Sequence, residues 1–279
     1  MKRLILPVSL LLIVLSRCAA AQEVVVSRRV YAPAGRSFQQ LWVWSPDTGA
    51  LEQLTRAPRD HHNPSCAADG KAIDFSSGDR RLRFDRGTAS EMPIDDAPAT
   101  ARNGPRADER IDRRGCDDGT ASRAHDASRV ACAVHGEAIA VVEIRTQREL
   151  GRVPFSPRSS GGYPYPPWSL QSTWAPDDAR LLVGTYGYGS SSTSSFLDYF
   201  VLDLARRQWT RAFSGNHAAW LDDGRRIVFT TPRHLSPLPG TAMHVWTTQL
   251  AVFDLAAGSV AALTSDVANN EAVTVCPTR

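Results

Sequence analysis

The sequence predicts an all-β chain assembled from repeated four-stranded antiparallel units, and three observations carry that prediction. A ten-residue pattern recurs in Trp220-Leu221-Asp222-Asp223-Gly224-Arg225-Arg226-Ile227-Val228-Phe229, in Cys66-Ala67-Ala68-Asp69-Gly70-Lys71-Ala72-Ile73-Asp74-Phe75 and in Trp174-Ala175-Pro176-Asp177-Asp178-Ala179-Arg180-Leu181-Leu182-Val183. A second pattern, an apolar strand followed by a polar turn and a short strand, lies between the copies. No long stretch places apolar residues at a 3.6-residue period, so helices are expected to be nearly absent.

Each copy of the first pattern sets a column residue, a tight turn and an apolar strand in that order. Asp-Gly between two strand-like runs predicts a type I′ hairpin turn, because both central residues of that turn need positive φ. The column is filled by Cys66, Arg123, Trp174, Trp220 and Val273, about 50 residues apart. The Arg123 copy keeps Asp126 and the following strand but has no glycine. The Val273 copy keeps the approach, with Asn269-Asn270-Glu271-Ala272 set beside Asn216-His217-Ala218-Ala219.

The second pattern is clearest in Leu250-Ala251-Val252-Phe253-Asp254-Leu255, followed by Gly258 and Leu263-Thr264. It matches Leu41-Trp42-Val43-Trp44-Ser45-Pro46, followed by Gly49 and Leu54-Thr55. Tyr199 to Leu204, running on to Trp209, is a third copy, and Ile139 to Glu143 and Leu82 to Asp85 are weaker ones. Together the two patterns make a unit of four strands, a to d, in 40 to 50 residues, which is the blade of a β-propeller.

The column residue, the Asp-Gly turn, the Ile-x-Phe strand and the Leu-Thr pair ahead of it resemble the propeller repeat of TolB-type periplasmic proteins. The propeller domains of prolyl-oligopeptidase-type peptidases are similar. The resemblance runs over residues 24–276 and implies an exported propeller, commonly six-bladed. The peptidases carry a separate hydrolase domain, so their activity is not implied by this stretch. A single propeller is expected over residues 22–279. Its ends are expected to share one blade, because a propeller that stopped on an unpaired blade would expose strand edges. The last copy supplies strand a, and Val24 to Tyr31, Gln40 to Trp44 and Leu51 to Leu54 supply b, c and d. That gives five blades as the favoured number, with residues 95–122 leaving room for a sixth. The four cysteines beyond residue 21 allow three pairings. With both ends in one blade, Cys66 and Cys276 fall on neighbouring inner strands, so the pairs Cys66–Cys276 and Cys116–Cys132 are expected.

Residues 1–21 read as a secretory signal peptide: Lys2 and Arg3, an apolar run from Leu4 to Leu15, then Ala19-Ala20-Ala21. The run is shorter than the about 20 residues of an ordinary membrane span. Cys18 is an alternative lipidation point, although Arg17 stands where such signals want a small residue. No transmembrane helix is expected after the leader, and a periplasmic or secreted location follows. The chain has 32 basic and 29 acidic residues. Losing Lys2, Arg3 and Arg17 balances the charge, so no basic field favours nucleic acid.

In antiparallel blades the a–b and c–d turns share one face, and the b–c and d–a loops share the other. The short turns fall on the first face. The long insertions, roughly 95–122, 154–171, 184–198 and 230–248, fall on the second, which is the expected binding surface. Candidate binding residues there are Tyr163, Tyr165, Trp168, Tyr186, Tyr188, His234, His244 and Trp246, since Tyr and Trp join apolar area to a polar tip. The same aromatics also serve to pin their own loops. His61, His62 and His217 are expected at a channel mouth, and His125 near an a–b turn. There is no fixed-spacing metal motif, no Gly-x-Ser-x-Gly elbow and no phosphate loop. No cofactor, metal or catalytic residue is assigned. The expected role is a noncatalytic protein-interaction or scaffolding module of the bacterial envelope. A carbohydrate or small-ligand binder is the alternative, and a metal-dependent propeller lyase is the third reading.

Overall fold

The computed structural model describes residues 22–31, 37–94, 116–117, 120–159, 170–186 and 196–276. Among them every regular element is a strand. Strands β1 (Glu23–Val30), β2 (Gln40–Trp44) and β3 (Leu51–Gln53) belong to the first blade. The second holds β4 (His62–Cys66), β5 (Ala72–Ser77), β6 (Arg80–Asp85) and β7 (Ser90–Pro93). The third holds β8 (Ser122–Arg123), β9 (Arg129–Val134), β10 (Ala138–Glu143) and β11 (Arg148–Pro154). The next sheet has seven strands, which β15 (Gln208–Trp220) divides into two blades. The first half of β15 closes the fourth blade beside β12 (Gln171–Trp174), β13 (Arg180–Tyr186) and β14 (Leu197–Asp203). Its second half opens the fifth, which continues with β16 (Arg226–Thr230), β19 (Leu250–Asp254) and β20 (Ser259–Ala262). Between β16 and β19 stands a separate hairpin, β17 (His234–Pro237) and β18 (His244–Thr247). The last strand, β21 (Ala268–Cys276), pairs antiparallel with β1 from Glu23↔Cys276 to Val30↔Ala268, so both ends of the described chain lie in the first blade.

The first strands of neighbouring blades lie against one another: β21 against β4 and β15, and β8 against β12. This is propeller packing, and it explains why strands b such as β1 and β16 are apolar on both faces. In β1, Val24 and Val26 pack on the fifth blade while Val25 packs on the second. In β16, Ile227 and Phe229 face the fourth blade and Val228 faces the first. Trp174 is fully enclosed between the third and fourth blades. Arg129 of the third blade covers the Trp174 ring at 5.1 Å, and Arg180 of the fourth covers the Trp220 ring at 5.5 Å. Each contact places a cation on the column tryptophan of the next blade.

The turns explain the repeats residue by residue. After strand c, the residue four places on has positive φ in every blade: Gly49, Ala89, Gln147, Arg207 and Gly258. Asp85 and Asp254 stabilise their turns from the strand end by accepting two backbone N–H groups through one carboxylate oxygen. The Leu-Thr pairs work alike. Thr55 Oγ1 accepts from Leu41 N at 2.9 Å and Thr264 Oγ1 from Leu250 N at 3.0 Å, while each hydroxyl donates to a neighbouring glutamine.

The a–b turn differs from the type I′ turn expected from Asp-Gly. Gly70, Ala127, Asp178 and Gly224 each donate their N–H to the carbonyl three residues earlier, and each is the lone positive-φ residue of its turn. A single left-handed position accepts Asp or, at a cost, Ala, which is why the copies without glycine still turn. Among the described residues the one pair of consecutive positive-φ residues is His135–Gly136, between β9 and β10.

Gly215 marks the point where β15 passes from the fourth blade to the fifth. A Cβ there would lie 2.5 Å from the Thr230 carbonyl oxygen and 2.6 Å from the Phe229 ring. That ring stacks on Phe213 at 3.9 Å between centroids, so the crossing is filled.

Cys66 is bonded to Cys276, and Cys116 to Cys132, with Cα–Cα separations of 5.4 and 5.6 Å. The first bond spans 210 residues of sequence and ties β21 to β4. Of residues 95–122, where a sixth blade had room, 95–115 and 118–119 lie outside the described residues.

Two outcomes follow for stability. Cys66→Ser is expected to destabilise the chain by about 2–5 kcal/mol, the range for a bond closing a long loop, read as a lower Tm under nonreducing conditions. Ala127→Gly is expected to stabilise by about 1 kcal/mol, and Gly224→Ala to destabilise by a similar amount, because only glycine meets a left-handed position without strain. Denaturant midpoints check both signs.

Candidate functional site

Three inner strands carry the same irregularity. The pairing register slips between His62 and Ser65 on β4, between Asn216 and Ala219 on β15, and at Ala272 on β21. At each slip one residue has positive φ: Asn63, His217 and Ala272. Such bulges re-aim side chains. They also correct the column read from sequence. Asn63 stands three residues before Cys66 and His217 three before Trp220, so Ala272 makes Val275 the true counterpart. Val275 pairs with Val24 on β1 as Trp220 pairs with Ile227 on β16. Val273 is out by two residues, a shift that keeps the side chain on the same face and so left the apolar pattern unchanged.

The bulged stretches of β15 and β21 border a cavity of about 290 Å³ at the inner end of the fourth, fifth and first blades. Asn216 and His217 of β15 and Asn270 and Glu271 of β21 line it on the strand side. Gln171, Tyr186 and Phe196 line it from the fourth blade, and Thr230, Arg233 and Thr248 from the fifth.

Asn270 is fixed from three directions. Its N–H donates to Thr248 Oγ1 at 2.6 Å, its amide nitrogen to the Thr248 carbonyl at 2.5 Å, and its amide oxygen accepts from Arg28 Nη1 at 2.7 Å. Arg28, itself buried, also pairs with Asp266 and lies 5.4 Å over the Trp42 ring.

Glu271 is the one acid of the cavity lining. Its carboxylate accepts from Asn269 Nδ2 at 2.5 Å. Two further groups approach without reaching hydrogen-bond distance: Arg233 Nη2 at 3.6 Å and His62 Nδ1 at 3.8 Å. His217 is open to the mouth but walled in by it. This removal from solvent pushes its pKa below 6.5, with Glu271 pulling up and Arg233 pushing further down. Burial raises the Tyr31 phenol, whose charged neighbours are Arg29, Glu271 and Arg233. The mouth is therefore a nearly neutral, donor-rich bowl in which one carboxylate balances one guanidinium.

The candidate residues separate clearly. His217 and Tyr186 line the cavity, Tyr186 exposed, and His62 stands beside Glu271. His61 does not belong to the mouth. It is fully buried between the first and second blades, its ring joining the Gln39 carbonyl at 3.1 Å to Glu91 Oε1 at 3.0 Å and lying 4.7 Å from the Phe75 ring. His61 lies just before β4 and His62 opens it, and their side chains part, one sealed between blades and the other beside Glu271.

His234, His244 and Trp246 lie on the β17–β18 hairpin rather than in an irregular loop. His234 Nε2 sits 3.0 Å from Thr247 Oγ1, and Trp246 pairs across from Leu235. Tyr163, Tyr165, Trp168 and Tyr188 lie outside the described residues.

Arg233, Glu271, Asn216, Asn270 and Gln171 were not candidates on sequence. The aligned runs Asn216-His217 and Asn269-Asn270-Glu271 were the available signal. Among the described residues no group of three or more His, Cys, Asp or Glu side chains is placed to hold a metal ion.

The packing defines a β-propeller, and the cavity beside its bulged strands is lined by polar residues. No family model and no curated protein matches the chain. Solved structures do. A TolB-type protein from Agrobacterium tumefaciens is 11% identical, with 92% of this chain aligned to 99% of that one at a TM-score of 0.45. TolB from Acinetobacter baumannii is 14% identical, with 88% of this chain aligned to 53% of that one at a TM-score of 0.35. This chain thus spans about half the length of the latter. The propeller domain of the trilobed protease from Pyrococcus furiosus is 11% identical over 76% of this chain and 59% of its own, with a TM-score of 0.34.

The mouth yields a titration outcome. His217 is expected to titrate below 6.5 by NMR. Glu271→Gln should lower its midpoint further, and Arg233→Ala should raise it. A shift of the opposite sign in either variant would contradict the arrangement of charges around the ring.

Proposed function

We propose that the chain is an exported, noncatalytic propeller that acts as a protein-interaction module of the bacterial envelope and meets its partner through the long-loop face. The observation that carries this reading is the β17–β18 hairpin. It stands out from the fifth blade as a two-stranded ribbon, with Leu235 54% exposed, Met243 60% and Trp246 41%. Leu235 and Trp246 are directly opposed, so both project from one side of the ribbon. Exposed aromatic and aliphatic anchors on a rigid support suit a protein contact. The signal-peptide pattern of residues 1–21 and the two disulfides support export. The fold by itself does not assign a partner.

The test compares wild-type protein with Leu235→Asp/Trp246→Ala and with Arg225→Ala on the opposite face. Each is crosslinked in envelope extract, and the captured protein is identified and re-bound in purified form. Binding is expected to fall at least about tenfold in the hairpin variant, which removes both apolar anchors, and to hold in Arg225→Ala. Equal binding by all three proteins would reject the hairpin as the contact.

A further inference from the structure

We infer that the channel mouth receives a carboxylate of an extended acidic peptide, with Arg233 as its anchor and Glu271 as the internal group the peptide displaces. This deepens the protein-interaction reading and rests on it.

Arg233 is 46% exposed, lines the cavity and makes one ion-pair approach among the described residues, to Glu271 at 3.6 Å. That approach makes no hydrogen bond, so the guanidinium keeps its fork of donors unspent. An incoming carboxylate can take two of them in parallel, the geometry arginine favours. Glu271 loses little by the exchange, because its hydrogen bond comes from Asn269. The His217 ring likewise makes no hydrogen bond among the described residues and faces the same space. The surrounding frame stays put, since Thr248 and Arg28 clamp Asn270.

The occupant's class follows from continuity. Arg233 immediately precedes β17 and stands two residues before Leu235, so the cation and the exposed Leu235–Trp246 pair are near neighbours along the chain. A ligand that matches both carries a carboxylate and large apolar groups a few ångströms apart along a chain. A peptide does so; a uronic-acid oligosaccharide supplies the carboxylate without the aliphatic groups. The ribbon's outer edges also offer backbone N–H and C=O groups to an extended segment.

Fluorescence anisotropy on the full chain tests the assignment with three labelled probes. They are a heptapeptide alternating Glu with Leu and Phe, the same peptide with Gln for Glu, and a uronic-acid trisaccharide. The acidic peptide is expected to bind, with Arg233→Ala weakening it at least about tenfold, as expected for one lost charge-assisted interaction. Glu271→Gln should tighten it several-fold, a gain that damaged folding cannot produce. Equal binding of the Gln peptide, no effect of Arg233→Ala, or absence of peptide binding overturns the inference. Arg233-dependent binding of the trisaccharide alone overturns it in favour of a glycan. If the acidic peptide fails while hairpin-dependent partner capture persists, only carboxylate recognition falls; if both fail, the interaction reading falls as well.

Discussion

The pairing of β1 with β21 is the contact on which the other features depend. It joins residues at opposite ends of the described chain through eight paired positions and completes the first blade. Without it, Val24 and Val26 lose their seat against the fifth blade, and Val25 its seat against the second. The same pairing places Asn270 and Glu271 at the channel mouth, since β21 is held between β1 on one side and β4 and β15 on the other. Contacts of such sequence separation are costly to close in chain entropy. Cys66–Cys276 removes much of that cost from the unfolded ensemble by linking strands 210 residues apart. The integrity of the first blade and the geometry of the site thus rest on the same pairing.

A second regularity lies in backbone handedness. One left-handed residue ends each turn after strand c, one sits in each a–b turn, and one creates each bulge at the mouth. The first two sets build the plain face of the molecule, where Asp carboxylates satisfy turn N–H groups. Arg225 and the backbone N–H groups of Ala256 and Ala257 hold Asp254 down to a pKa of about 2. The repeated aspartates are spent on turns, which leaves chemistry to the opposite face.

Sequence made the strands and c–d turns legible because both depend on short-range pattern. Ser45, Asp85, Glu143, Asp203 and Asp254 end strand c at equivalent places, and apolar runs reveal strands buried on both faces. The a–b turn was misjudged because Asp-Gly serves any turn that needs a left-handed residue, and the partner hydrogen bonds lie outside the motif. Val273 was misplaced because it and Val275, two residues apart, lie on the same face, so the alternation could not tell them apart. Legibility of the mouth was lower still. Arg233 and Glu271 are 38 residues apart and meet only through the pairing of the terminal strands. His61 and His62 look alike in sequence, yet one is sealed between blades and the other stands beside Glu271. Adjacency in the chain does not say which one stands beside Glu271.

The mouth combines a rigid frame with an unsaturated set of donors. Asn270 has its amide fully engaged, so it contributes position more than recognition. Arg233 and His217 have the opposite character: accessible, charged or chargeable, and weakly committed. Glu271 keeps them from accumulating positive charge in a confined space, at a distance where no strong bond has to break. A preorganised cavity with a weakly held internal carboxylate lowers the desolvation cost of admitting an external one, because the site already presents donors in place of water. The exposed Leu235–Trp246 pair beside it supplies the apolar area that a weak charge exchange alone lacks. In the proposed complex the two features would act together, the hairpin contributing affinity and the cavity selecting which chain is admitted.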